Sequence, residues 1–116
     1  MYLAERADST YFMGKFNSFK TIEEKCKNLD ELAVYCLLQT QGFFLNGYKE
    51  AKMKPLPGRV DVADDHYKIT YAEFIDKELA IEIFFVEKDI ESLEKFMNFR
   101  CEQYRVISNF KFTKIS

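Results

Sequence analysis

Short runs of alternating apolar and polar residues in the second half of the chain predict β-strands. The runs cover residues 59–63, 67–71, 79–86 and 105–115, and acidic residues separate the first three. One face of the third run consists of Leu79, Ile81, Ile83 and Phe85. Because Phe84 and Val86 occupy its other face, this strand is predicted to lie inside a sheet that is covered on both sides.

A long segment before these strands repeats apolar residues every three to four positions, which is the period of an α-helix. The helix is predicted over residues 22–53, with Thr21 and Glu24 forming a capping box before it and Pro55 following it. Asn28 begins a second stretch of the same capping form. A helix that breaks at Asn28, or that kinks at one of the later glycines, is therefore the alternative.

Two further elements are predicted, one near each end of the chain. Residues 9–20 are rich in aromatic side chains and could form a strand, in which Gly14 would mark a bulge. Asp89 can cap a second helix. The apolar face of that helix consists of Ile90, Leu93, Phe96, Met97, Cys101 and Tyr104.

The order of these elements predicts an α+β fold in a single domain that spans residues 1–116. We expect a small, single-layer, antiparallel-rich sheet packed by two helices. The best named candidate is the ferredoxin-like order β-α-β-β-α-β. If residues 9–20 do not form a strand, helices lead into a hairpin, and a winged-helix-like fold is the alternative.

Composition narrows the class of protein. The 116 residues are 47% hydrophobic and 16% aromatic, which is enough to build a core and excludes a disordered tail. No apolar run approaches the length of a membrane-spanning helix, and the first residues do not resemble a signal peptide. The three cysteines, Cys26, Cys36 and Cys101, are predicted to be buried free thiols on apolar helical faces. This pattern favours a reducing, cytoplasmic location.

The charges are distributed unevenly along the chain. The net charge is −2, but it is +2 over residues 1–60, −8 over residues 61–94 and +4 over residues 95–116. Carboxylates at turns and helix starts often serve solubility, yet an acidic segment can also steer and hold a basic partner. The predicted partner-binding residues are Asp61, Asp64, Asp65, Glu73, Glu78 and Glu82.

No motif identifies a reaction. The single histidine, His66, follows Asp64 and Asp65, and consecutive side chains at such a hairpin tip do not converge on a metal. The four glycines do not form a phosphate-binding loop. Neither catalysis nor a cofactor is therefore predicted. A small enzyme or ligand-binding domain, one alternative, would need an enclosed pocket lined by His66 or by a cysteine with nearby carboxylates.

These observations favour a non-catalytic protein that binds another protein. The specific hypothesis is an inhibitor of the immunity or phage type, whose acidic hairpin surface blocks a basic partner such as a nucleic-acid enzyme. No membrane partner is predicted. Assembly into a homo-oligomer is an open alternative, and residues 43–45 are a candidate interface segment. The other alternative is a nucleic-acid-binding module, winged-helix or sheet-based. Its cations would be Lys49, Lys52, Lys54, Arg59, Arg100, Arg105, Lys111 and Lys114.

Overall fold

The computed structural model of the chain describes residues 1–41, 43, 53–75 and 77–116. The elements in these ranges are, in chain order, β1 (Tyr2–Phe12), β2 (Lys15–Cys26), α1 (Leu29–Thr40), β3 (Met53–Pro55), β4 (Arg59–Val62), β5 (His66–Ile75), β6 (Glu78–Glu87), α2 (Ile90–Gln103) and β7 (Ser108–Lys114). The α+β prediction is confirmed. None of the helices in the described ranges is long and apolar enough to cross a membrane.

The strands form two antiparallel sheets rather than the single sheet that was expected. In the first sheet, β1 lies between β2 and β7. In the second sheet, β5 is central, with β6 on one side and both β4 and β3 on the other. The ferredoxin-like order is not confirmed, because a hairpin precedes each helix.

The two sheets exchange strands between the two halves of the chain. Each half contributes a hairpin followed by a helix, β1–β2–α1 in the first half and β5–β6–α2 in the second. The strands described after α1 are β3 and β4, and both pair with β5 of the second hairpin. The strand after α2 is β7, which pairs with β1 of the first hairpin. Each hairpin therefore pairs with strands that follow the helix of the other half.

The helices join the two sheets. From α1, the ring of Tyr35 meets the ring of Phe112 of the first sheet edge-on, with centroids 6.4 Å apart. On its other side, Asp30 of α1 accepts a 2.6 Å hydrogen bond from the hydroxyl of Tyr67 of the second sheet. The core between helices and sheets includes Leu32, Cys36, Tyr67, Ile69, Leu93, Met97 and Phe110, all nearly inaccessible to water. The predicted burial of the three cysteines is also confirmed, and each is a free thiol.

The first predicted strand is in fact the middle of a hairpin. Residues 9–20 span the end of β1, a turn and the start of β2. Gly14 lies in that turn with a φ of 77°, a conformation that glycine adopts without the steric penalty of a side chain. It therefore marks a reversal of the chain and not the bulge that was predicted, and the aromatic residues around it belong to two strands.

The long helix predicted over residues 22–53 is wrong over its first residues and at Met53, whereas residue 43, beyond α1, is helical. Thr21 and Glu24 belong to β2 rather than to a helix cap, and Cys26 is the last residue of that strand. The helix begins after Asn28, the alternative start. It ends at Thr40, and residues 53–55 form β3. The expectation for residues 42 and 44–52, including the kink glycines, lies outside the described residues.

Both helices begin at a side-chain cap. The Oδ1 atom of Asn28 accepts a 2.9 Å hydrogen bond from the backbone N–H of Glu31. The Oδ1 atom of Asp89, as predicted, accepts a 2.8 Å bond from the N–H of Ser92. Each cap pairs one of the backbone N–H groups that the first turn of a helix leaves without a partner.

We expect Asn28→Ala and Asp89→Ala each to lower the free energy of unfolding by about 1 kcal/mol, because each removes a cap acceptor. Urea denaturation followed by circular dichroism measures this loss. Lys95→Ala, on the exposed side of α2, is the matched control and should change the free energy of unfolding by no more than a few tenths of a kcal/mol. A loss in the control as large as in the cap variants would contradict the assignment.

Candidate protein-binding surface on the second sheet

The pairing of β5 with β6 determines which side chains face the helices. Tyr71 lies opposite Glu82, and Tyr67 lies opposite Val86. Residues directly opposite each other in an antiparallel pair point to the same side of a sheet. This side carries the buried tyrosines and packs against the helices, so we call it the inner face. The alternate residues, which include Ile83, form the outer face.

A row of apolar side chains is exposed on the outer face of β6. Leu79, Ile81, Ile83 and Phe85 are 53%, 56%, 46% and 68% exposed, and we call these residues the outer stripe. Phe74 of β5 lies opposite Leu79 and extends the row. Single exposed apolar residues are ordinary, but a continuous row about 20 Å long on one strand is typical of a binding surface. The prediction that both faces of this strand are covered is therefore wrong for the described residues.

The orientation of β6 is fixed by a buried arginine of α2. Arg100 is only 1% exposed. Its Nη1 atom donates a 3.0 Å hydrogen bond to Oε2 of Glu82. The rings of Tyr71, Phe84 and Tyr104 surround its guanidinium group, with centroids 4.6 to 4.7 Å from Cζ. A buried guanidinium needs a charge partner, and aromatic faces add a favourable electrostatic contact. This cluster holds Glu82 on the inner face.

A second carboxylate, Glu73, lies on the same inner face and is 4% exposed. Burial and, to a smaller extent, the negative charge of Glu82 raise its pKa to about 7, while the positive charge of Arg100 opposes this rise. Burial also raises the pKa of Tyr71 to about 12, and its hydroxyl is hydrogen-bonded to Oγ1 of Thr40. Glu73 is therefore buried, and Glu82 is partly buried and held on the inner face by Arg100.

The other predicted carboxylates separate into two places. Asp64 and Asp65 are exposed in the turn between β4 and β5. A hydrogen bond from the backbone N–H of Lys88 to the carbonyl of Asp65 brings Glu87 beside this turn. Asp61 lies nearby on β4 and is paired with Arg59, with Nε and Oδ2 3.1 Å apart. We call Asp61, Asp64, Asp65 and Glu87 the acidic end.

The acidic end adjoins one end of the outer stripe. The ring of His66 meets the ring of Phe85 with centroids 5.9 Å apart, and Nδ1 of His66 lies 2.7 Å from Oδ1 of Asp65. That hydrogen bond is the main reason why the pKa of Asp65 is lowered. Glu78 lies at the opposite end of β6, about 30 Å away along the strand. Of the six predicted residues, the structure thus brings Asp61, Asp64 and Asp65 together.

The described residues offer little support for the alternative of a small enzyme or ligand-binding domain. They contain no group of three or more His, Cys, Asp or Glu side chains that could hold a metal ion. The thiols are buried, and burial raises the pKa of Cys36 strongly and that of Cys101 to about 11, so neither is poised as a nucleophile.

The described structure does not bring the cations predicted for nucleic-acid binding together on one surface. Arg100 is buried, and Arg59 is paired with Asp61. The side chains of Lys49, Lys52 and Lys54 lie outside the described part of the structure. Phe43 of the candidate segment 43–45 is buried, and the rest of that segment is likewise outside the described part.

The residues that sequence reasoning missed are Arg100 with its surrounding rings, and Phe99, which is half-exposed in a groove between β6 and α2. A signal for Arg100 was present, because it lies four residues after Phe96 and four before Tyr104, on the apolar face of α2. Comparisons with protein-family models, with curated proteins and with solved structures found no match. The geometry of the second sheet is therefore the basis for a functional proposal.

We expect the pH dependence of stability to report the buried Glu73. Its pKa is near 4.5 when solvated and about 7 in the fold, so the fold retains a proton that the unfolded chain releases. The free energy of unfolding should therefore fall as pH rises from about 4.5 to about 7, by roughly 3 kcal/mol, and stay lower above that range. Glu73→Gln should remove this fall in urea denaturation at pH 4.5 and pH 8.

The control for this measurement is Glu78→Gln, an exposed carboxylate on the same hairpin. It should keep the wild-type difference between the two pH values. An equal pH dependence in the wild type and in Glu73→Gln would show that Glu73 titrates as a solvated carboxylate.

Proposed function

We propose that this protein is a non-catalytic binding protein that docks a basic partner protein on the outer face of its second sheet. The observation that carries the proposal is the outer stripe. Four apolar side chains, each about half exposed, stand in one row on a strand whose other face packs against the helices. Burial of apolar area drives most protein association, and such a row supplies the anchors of an interface.

The charges next to the stripe favour a partner with a basic rim. Asp64, Asp65 and Glu87 are exposed at the end of the stripe that Phe85 occupies. Complementary charges around an apolar centre raise the association rate and reject wrong partners. The binding surface in this proposal therefore combines the outer stripe with the acidic end, and it leaves out Glu73, Glu82 and Glu78.

An inhibitor of a nucleic-acid enzyme is the specific form of this proposal. The groove of such an enzyme is already basic, because it neutralises the phosphates of its substrate. A small domain that presents carboxylates beside an apolar anchor could occupy that groove. An inhibitor of the immunity or phage type that used this surface would act by binding alone. The partner is identified by capture on the wild-type chain from the native cell and then purified for the measurements below.

We expect Ile81→Ser/Ile83→Ser to weaken binding of the purified partner by more than tenfold, since central apolar anchors typically contribute 2 kcal/mol or more each. Isothermal titration calorimetry gives the dissociation constants. The matched control is Val34→Ser/Leu38→Ser, which removes two exposed apolar side chains from α1. Equal affinity of the wild type and the Ile81/Ile83 variant, or equal loss in the control, would overturn the proposal.

We expect Asp64→Lys/Asp65→Lys to slow association with the same partner by about tenfold at low ionic strength, because the steering charges are reversed. The difference should shrink as salt is added, since salt screens exposed charges. Stopped-flow mixing at several salt concentrations measures the rates. Glu23→Lys/Glu102→Lys reverses two exposed charges elsewhere and serves as the control. A rate that does not depend on salt or on the acidic end would contradict the role of charge.

A further inference from the structure

The two sheet edges that lie beside α2 differ in whether side chains of the helix cap their backbone groups. On the edge of β7, the side chain of Asn98 donates to the carbonyl of Phe110 at 3.0 Å and accepts from its N–H at 2.9 Å. Glu94 accepts from the N–H of Phe112 at 2.9 Å. These bonds occupy the backbone groups that an edge strand would otherwise expose. Along β6, by contrast, the described part of the chain shows pairing with β5 alone and no comparable side-chain cap.

The uncapped edge of β6 is long and has apolar residues on both sides. The strand has ten residues, so its edge is about 33 Å long. On the outer side runs the outer stripe. On the inner side a groove of about 360 Å³ lies between β6 and α2, lined by Phe84, Val86, Phe96 and Phe99 among others. Native proteins usually blunt such an edge, and one that is left open is a template for pairing with another strand.

We infer that β6 pairs in antiparallel fashion with β6 of a second copy of this chain, across a two-fold axis. Such an interface uses the same patch on both copies, so the patch must complement itself. Antiparallel pairing of two identical strands meets this condition when the opposed residues match in chemistry. The sequence of β6 allows one register in which they do on the outer face.

In that register, Ile81 lies opposite Ile83 of the second copy, and Leu79 lies opposite Phe85 of the second copy. Lys77, in the turn just before β6, is then near Glu87 of the second copy, so opposite charges meet at the ends of the paired strands. A shift by two residues in one direction opposes Leu79 to Glu87, and a shift in the other direction opposes Phe85 to Lys77. Both shifts break the match between apolar and charged positions, so the first register is favoured.

The inner face is matched less completely, because this register places Glu78 opposite Val86 of the second copy. Glu82 lies on the two-fold axis and meets Glu82 of the second copy. Each of these carboxylates is already bonded to Arg100 and to the Tyr104 hydroxyl of its own chain, so its charge is matched before the copies meet. Ala80 of the second copy lies opposite Phe84, and its small side chain leaves room for the rings of Phe84 and Phe99 beside the groove.

A stable dimer needs an interface of ordinary size. A stable interface covers about a tenth of a small protein's surface, or roughly 800 Å² of the 7820 Å² that this chain exposes. A second β6 would cover the ten-residue edge, one flank of the outer stripe and the groove beside α2. It would also place two stripes side by side on one continuous sheet. That the doubled stripe forms the docking face for the basic partner rests on the proposed function.

The experiment measures the mass of the wild-type chain and the position of the contact. Sedimentation velocity at protein concentrations from 1 to 100 µM, chosen as about the range of modest dimers, should show twice the single-chain mass of 13.8 kDa. Ile81→Cys and Ile83→Cys, mixed and oxidised, should form a disulfide between the two variants, because opposed residues in a strand pair are within disulfide reach. Each variant alone should cross-link less.

Leu38→Cys, an exposed site on α1, is the control and should not cross-link. Circular dichroism of the variants verifies that each is folded. A monomer throughout the concentration range would overturn the inference, as would a dimer in which the control cross-links as readily as the Ile81/Ile83 pair. A monomer whose partner binding still depends on Ile81 and Ile83 would leave the proposed function intact and assign the β6 edge to a strand of the partner. A dimer with no dependence on them would refute the proposed function alone.

Discussion

The ion pair between Arg100 and Glu82 determines which face of β6 meets the helices. A guanidinium that is 1% exposed has to be paired, because an unpaired buried charge costs several kcal/mol. Glu82 must therefore point inward, and strand alternation then turns Ile81 and Ile83 outward. The more uniformly apolar face of the strand is thus the exposed one. The exposure of the outer stripe follows from this contact.

Sequence reasoning predicted the elements whose signals are local. The strand positions of β5 and β6, the cap at Asp89 and the burial of the cysteines depend on alternation, on a capping side chain and on side-chain chemistry. The start of the helix predicted over residues 22–53 is wrong because local signals are overridden by pairing with another strand. Ile22 and Cys26 fit a helical period, but Ile22 to Cys26 lie in β2, where pairing with β1 overrides the capping box at Thr21.

The candidate site was predictable only in part. The alternation of Leu79, Ile81, Ile83 and Phe85 identified a strand face, but alternation does not reveal which face a sheet buries. That choice depends on a contact between β6 and Arg100, a residue of α2 well after the strand in the chain. The number of acidic residues in the segment 61–94 likewise does not show where each carboxylate lies in the fold. Glu73 and Glu82 share that segment with Asp64, yet strand alternation places both on the inner face, where Glu73 is buried and Glu82 is paired with Arg100.

The exchange of strands between the halves has a consequence for how the chain is made. Tyr2 of β1 pairs with Lys114 of β7, so β1 is synthesised more than a hundred residues before the strand that completes its sheet. Pairing across nearly the whole chain carries a large loop-closure entropy and favours slow folding. Until β7 is made, the edge of β1 that faces away from β2 has no partner strand in this sheet and is open to pairing with another chain.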